Sequence, residues 1–347
     1  TRREALRYLL SGAATIAAAP LLNACQKVPA QPSENMPARS PEIPLLPAAE
    51  GSSTPADLAS AQTTRDDPAA RSSPTAVPYP DLVVARKAEP ETLVREALAA
   101  LGGMERFVPP GGWVIIKPNI CTAYHTYEYA ATTNPWVVGT LVALCFEAGA
   151  GKVQVMDYPF GGSAKDAYRI SGIAEQVEAN GGEMVQMASF KFKDVKINDP
   201  LSLKRVEIFE DVFQADTLIN VPIAKNHGLT TLSLGMKNLM GLITDRGKIH
   251  ADFGLKLTDL ARTIKPTLTV VDAVRILLRN GPTGGNLADV QQMDTIIASQ
   301  DIVAADGYAA TLFGFQPDDI EYVRAGGKAG LGQNDLSKLN IRELILA

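Results

Sequence analysis

Thr217-Leu-Ile-Asn-Val-Pro222 runs directly into Lys225-Asn-His-Gly-Leu-Thr-Thr-Leu-Ser-Leu-Gly-Met-Lys-Asn-Leu-Met-Gly-Leu-Ile-Thr-Asp-Arg-Gly-Lys-Ile-His-Ala-Asp252. The first stretch is a short apolar run that reads as a buried strand. It stops at Pro222 and opens onto Lys225, Asn226, His227 and Gly228. A buried strand that ends in polar and glycine residues is what an α/β protein presents at the carboxyl edge of its sheet, where ligands bind. Two of the chain's 3 histidines, His227 and His250, fall in this segment, with Lys225, Lys237, Asn238, Arg246 and Lys248.

The same alternation extends in both directions. Leu82–Arg86, Trp113–Lys117, Lys152–Asp157, Leu268–Asp272 and Asp294–Ala298 read as strands, and Ile341–Ile345 as an edge strand. Between them, Glu91–Leu101, Asn134–Ala148, Ala164–Asn180, Ile302–Phe313 and Asp318–Ala325 carry helical periodicity. Strand and helix in turn build a mostly parallel sheet with helices on both faces. The fold class expected is therefore α/β, with room for an inserted lobe around 190–265.

Composition narrows the function. A net charge of -5 and a pI near 5.4 leave no basic footprint for nucleic acid. Three cysteines, Cys25, Cys121 and Cys145, are too few to hold an iron–sulfur cluster unaided, so none is expected. Cys121 and Cys145 could pair in an oxidising compartment, whereas Cys145 within an apolar helix reads as a small core residue.

Residues 1–25 read as an export signal. Arg2-Arg3 precede an apolar run too short for a membrane span, resembling a twin-arginine signal. The run closes on Leu22-Asn23-Ala24-Cys25, similar to a bacterial lipobox, which makes Cys25 the lipidation candidate and the membrane a partner through that lipid. Residues 26–80 hold 11 of the 23 prolines amid Ser, Ala and Thr, a composition too poor in apolar periodicity to form a core. They read as a stalk, with the α/β domain at 81–347. The expected location is the outer face of the cytoplasmic membrane or the periplasm.

Candidate site residues come from the strand ends. Lys117 and Asn119, Lys225, Lys237, Asn238 and Lys248 suit capture of a carboxylate or phosphate, since each lysine follows or interrupts an apolar stretch. The loop Gly281-Pro-Thr-Gly-Gly285 offers Gly281 and Gly284 as backbone donors around an anion. His227 and His250 are acid–base candidates, and Asp306 a third, expected to be partnered by one of the lysines. Asp157 and Asp272, both at strand ends, could instead hold a divalent metal. His125, in a polar aromatic loop, is placed to act as a lid. Asp301 just ahead of a helix reads as its cap.

These segments in combination resemble domain-of-unknown-function family 362: IIKPN at 115–119, LINVPIAKNHGLTTLSLGMKNLMGLI at 218–243, KIH at 248–250, IKPTLTVVDAV at 264–274, NGPTGG at 280–285 and ASQDIVAADGYAA at 298–310. The resemblance implies that Lys225-Asn-His227, Lys237-Asn238, Asp301 and Asp306 are family motif positions. It brings no activity with it. Some members carry a ferredoxin-like segment that this chain lacks, and the family resembles in fold the N-terminal part of nickel-pincer lactate racemases. Two functions remain open: an exported, tethered enzyme acting on a small anionic substrate, or a non-catalytic ligand-, metal- or cofactor-binding protein, including an accessory subunit of a membrane redox complex.

Overall fold

The structure is a computed structural model that describes residues 79–346. The readings of residues 1–25, of Cys25 and of most of the 26–80 stalk lie outside the described residues. The described residues form β1 (Leu82–Arg86), α1 (Pro90–Ala100), β2 (Trp113–Pro118), α2 (Pro135–Glu147), β3 (Lys152–Val155), α3 (Ala164–Ile170), α4 (Ile173–Ala179) and β4 (Glu183–Met184). They continue with β5 (Phe192–Lys196), β6 (Arg205–Phe209), β7 (Thr217–Val221), β8 (Ile223–His227), β9 (Thr231–Ser233), α5 (Gly235–Asn238) and α6 (Phe253–Ile264). Last come β10 (Leu268–Leu277), β11 (Val290–Ser299), α7 (Ile302–Thr311), α8 (Glu321–Lys328) and β12 (Ile341–Ile345).

Ten strands make one sheet in the order β12-β1-β11-β10-β7-β2-β3-β4, with β8 attached to β10 and β9 to β8. Pairing is parallel at β12/β1, β10/β7, β10/β8, β7/β2, β2/β3 and β3/β4, and antiparallel at β1/β11, β11/β10 and β8/β9. The fold is therefore α/β with a mostly parallel sheet.

Side-chain alternation along the strands divides the core in two. Val83, Val114, Ile116, Val270 and Ile296 face a layer with Leu93 of α1, Leu141 of α2 and Val177 of α4. Val84, Ile115, Val271 and Ile297 face the other, with Met236 of α5, Leu260 of α6, Val303 of α7 and Tyr322 of α8. Helices thus cover both faces, and the central strands read as near-continuous apolar runs because neither face meets water.

Two expectations change. The single helix over 164–180 is two, broken at Gly172, whose φ of 76° is left-handed. Within 190–265 only β5 and β6 form a separate two-stranded sheet, whereas β7, β8 and β9 belong to the main one. Cys121 and Cys145 are both free and buried.

Pro222 interrupts what is nearly one strand. β7 pairs β10 at Leu268 and Thr269, and beyond the proline β8 resumes against β10 at Asp272 and Leu277. A proline cannot donate to the ladder, so the chain jogs there and redirects its next residues. Those residues are Lys225 and His227.

Candidate functional site

The carboxyl ends of β3, β2 and β7 lie side by side, with Lys117 in register with Asn220. Lys117 is 1% exposed, and its ammonium donates to Asp157 Oδ1 at 3.0 Å and to Asn238 Oδ1 at 2.7 Å. The other Asp157 oxygen accepts the backbone N–H of Ile120, and Oδ1 also takes that of Tyr158. Burial pushes Lys117 down to about 8, and the Asp157 charge opposes that fall.

A relay of amides runs onward from this pair. Asn238 Oδ1 accepts from Asn119 Nδ2 at 2.9 Å, and Asn238 Nδ2 donates to Asn220 Oδ1 at 2.9 Å and to the Lys117 carbonyl at 3.2 Å. Asn119 Oδ1 accepts from Lys225 Nζ at 2.9 Å. Lys225, also 1% exposed, donates to the carbonyls of Ala131 at 2.6 Å and Pro282 at 2.9 Å, and lies 3.3 Å from Cys121 Sγ. The Gly281–Gly285 loop therefore contributes through the Pro282 carbonyl, not through amide donors at Gly281 and Gly284. Gly281 is required for another reason: a Cβ there would collide with the Asn226 carbonyl.

Lys237 differs from its neighbours. It projects from the short helix α5, and among the described residues its ammonium meets no oxygen, only Met240 Sδ at 3.8 Å and the Phe253 ring, 6.0 Å from its centre. It keeps a partial exposure, so a ligand can reach it, yet burial lowers it to about 7, with Lys225, Arg246 and Lys117 adding to the fall and Cys121 opposing it. Arg246 completes the cationic group. Its Nε donates to the Met240 carbonyl at 3.0 Å, its Nη2 donates to the Tyr158 carbonyl, and its guanidinium stands 5.7 Å from the ring centres of Tyr158 and Phe160. Burial lowers its proton affinity too.

His227 is buried and accepts the Leu229 N–H on Nδ1 at 3.0 Å. Burial first, then Lys237, Lys225 and His250, push it down to about 2, so it is a neutral imidazole at physiological pH. Burial lowers His250 as well, followed by the charges of Lys237 and Arg246. The cluster thus holds Lys117, Lys225, Lys237 and Arg246 against the one carboxylate of Asp157. Gly241 closes over that pair, since a Cβ at 241 would overlap Asp157 Oδ1 and crowd Lys117 Nζ.

Several sequence candidates have other work. Asp306 is fully buried, and its oxygens accept the N–H groups of Gly235 at 2.6 Å and Met236 at 2.8 Å. Its partner is the start of α5 rather than a lysine, and it is closed to a ligand; burial pushes it up to about 7. Asp272 accepts the N–H of Asn134 at 2.7 Å and of Val274 at 3.0 Å, holding the N-terminus of α2, and burial raises it to about 6. Asp157 is taken up by Lys117. Neither it nor Asp272 forms a metal centre, and no group of three His, Cys, Asp or Glu side chains able to hold a metal occurs among the described residues.

Lys248 makes a surface ion pair with Asp245 at 3.6 Å. His125 stacks on Tyr129 at 4.6 Å, beside Gly285. Asp301 caps α7, accepting from Val303 and Ala304. Two participants that sequence reasoning passed over are Asn220, the one amide in the buried strand Thr217–Val221, and Cys121. Surface cavities of about 380 and 340 Å³ lie elsewhere, lined by residues such as Trp136 and Arg275, or Leu255 and Arg324, and none of the cationic cluster.

Residues 114–311 match the family described as Domain of unknown function (DUF362). The chain belongs to that family. The matched span covers every member of the cluster, from Lys117 to Arg246 and His250. A relative, the "Thylakoid-associated protein sll1697" of Synechocystis sp., is 30% identical over 247 residues, which is 69% of this chain and 74% of that protein. Among solved structures, the lactate racemase apoprotein of Thermoanaerobacterium thermosaccharolyticum aligns at 12% identity with a TM-score of 0.41, covering 61% of this chain and 53% of the other. A Thermotoga maritima protein aligns at 12% identity with a TM-score of 0.38, covering 66% and 60%. The chain thus spans about half the length of the first of these structures and 60% of the second.

Proposed function

We propose that this DUF362 protein binds a small carboxylate-class anion over Lys237 and Arg246, beside the buried Lys225, and acts on it by acid–base chemistry. The observation that carries the reading is the charge balance: among the described residues four buried or semi-buried cations face one carboxylate, and the Lys237 ammonium has no oxygen partner. A bare cation in a desolvated site is costly, and an anionic ligand removes the cost. A carboxylate bridging Lys237 and Arg246 would gain two charge-assisted hydrogen bonds.

The acid–base group is Lys237. An amine held to about 7 exchanges protons at working pH, which His227, at about 2, does not. With an anion bound the ammonium is favoured, so the amine takes up a proton as the ligand arrives and can return it to the ligand. His227, neutral and fixed through Nδ1, presents Nε2–H as a donor.

Arg2-Arg3 and the Leu22–Cys25 ending support export and lipid attachment at Cys25, which would hold the domain at a membrane face. The name of the thylakoid-associated relative agrees with a membrane address. No helix among the described residues is long and apolar enough to cross a membrane. Acid–base action is tested by incubating the protein with deuterated solvent and α-hydroxy, α-keto and unsaturated small carboxylates, then following deuterium incorporation by mass spectrometry. Incorporation lost in Lys237→Met supports the enzyme; binding without incorporation or turnover across that panel makes it a binding protein.

A further inference from the structure

β10 runs parallel to β7 and pairs with it only at Leu268 and Thr269, so Val274 and Arg275 lie past the end of β7, at the carboxyl edge of the sheet. There a cavity of about 380 Å³ is walled by these two residues, by β11 and by the N-termini of α1 and α2. The carboxyl edge between helix N-termini is where an open α/β sheet takes its ligands. Four charged side chains line the cavity: Glu89 and Glu91 at the start of α1, Arg275 on β10 and Asp294 on β11. Among the described residues none of the four is ion-paired. The Arg275 guanidinium instead stands 5.4 Å from the Tyr127 ring centre, and Asp294 accepts from the side-chain amide of Gln292, the cross-strand partner of Arg275.

Asn134 is the second observation. It is 4% exposed, and as the N-cap of α2 it spends Oδ1 on the Trp136 N–H at 3.0 Å. Its Nδ2 has no acceptor among the described residues, and the residue lines the cavity. A buried amide donor on a cavity wall stays unsatisfied until an acceptor enters.

The lining therefore has two poles. Arg275, the Asn134 amide and the N-terminus of α2 suit a carboxylate. The three carboxylates of Glu89, Glu91 and Asp294 suit ammonium groups, and their excess over the single guanidinium leaves room for more than one. Tyr127 and Trp136, packed edge to face with ring centres 5.0 Å apart, add an aromatic wall for methylenes. We propose that this cavity binds a small basic amino acid, its carboxylate on Arg275 and Asn134 and its ammonium groups among Glu89, Glu91 and Asp294. The inference is independent of the anion reading above, because the cavity shares no residue with the cationic cluster.

Calorimetric titration of the full chain at pH 7 and low salt with L-lysine, cadaverine, L-alanine and L-glutamate reads the two poles separately. Lysine should bind saturably at one site. Cadaverine lacks the carboxylate and alanine the second ammonium, so each should bind at least about tenfold more weakly, the loss of one charge-assisted contact. Glutamate should not bind in the cavity. Arg275→Met, checked for folding by its melting curve, should weaken lysine by a similar factor and leave cadaverine unchanged, whereas Asp294→Asn should weaken both. Lys237→Met should alter neither. Absence of saturable lysine binding at millimolar concentration would overturn the proposal. So would cadaverine, alanine or glutamate binding as tightly as lysine, or lysine affinity unchanged in either Arg275→Met or Asp294→Asn. Loss of lysine binding in Lys237→Met would move the ligand to the cationic cluster and overturn it as well.

Discussion

Replacing Lys237 with methionine keeps the length of the side chain and deletes its charge. A fall from 10.5 to about 7 corresponds to a penalty of ~5 kcal/mol on the charged form inside the protein. Partial exposure and relaxation of the neighbours reduce what unfolding reads, and replacement of buried ionic groups by apolar ones typically gains about 1–4 kcal/mol. The expected result is a variant that is more stable and does not bind anions, with a melting temperature higher by roughly 2–4 °C per kcal/mol for a domain of this size. The pH dependence has a definite sign. The unfolded chain binds more protons than the folded one between about 7 and 10.5, so wild-type stability rises with pH across that window. The gap between variant and wild type is therefore full below pH 7 and closes toward pH 10.5. Chemical denaturation at pH 6, 8 and 10 with matched ionic strength measures it. A Lys237→Met protein less stable than wild type by more than ~1 kcal/mol, or a gap independent of pH, would refute the claim that this ammonium is a desolvated, unpaired charge.

Other perturbations test the frame around it. Asp157→Asn leaves Lys117 buried without its counter-charge and should cost about 3–5 kcal/mol by urea denaturation, most of it recovered in the Asp157→Asn/Lys117→Met double variant. Gly241→Ala forces a methyl against Asp157 and Lys117 and should lower stability by about 1–3 kcal/mol, seen as an earlier denaturation midpoint. Asp306→Ala strips two buried N–H groups at the start of α5 of their acceptor, at about 1–3 kcal/mol each, and should weaken anion binding because Lys237 is on that helix.

The central sheet was legible because β2, β7 and the first half of β10 are near-continuous apolar runs, as strands covered on both faces are. The same rule hid β8 and β9. Lys225, Asn226 and His227 look like a loop in sequence, yet their backbone pairs with β10 and β9 while the lysine side chain turns into the amide relay. β5 and β6 escaped because they are half-exposed and charged, with Lys193, Asp194, Lys196, Arg205 and Glu207 along them.

At the site, the strand-end lysines could be picked out from their apolar surroundings, but sequence could not rank them. Lys237 lies between Met236 and Leu239, whereas Lys248 follows Asp245-Arg246-Gly247 in a turn, and that contrast was the available signal for separating a desolvated amine from a surface one. The role of Asp306 was beyond reach. It caps a helix 71 positions away, and α5, with Leu234 as its N-cap, carries no capping residue of its own. Asn220 had a signal, one amide in a strand otherwise apolar, of the kind that marks a buried hydrogen-bonding post.

The most direct measurement is calorimetric titration of the wild-type protein with propionate and with inorganic phosphate at pH 6.5 and pH 9.5, alongside Lys237→Met. A cationic site organised by Lys237 and Arg246 predicts saturable binding of one anion at pH 6.5, sharply weakened at pH 9.5 as Lys237 loses its proton, and absent in the variant. Binding that is indifferent to both the pH change and the substitution, or no binding of either anion at pH 6.5, would contradict it.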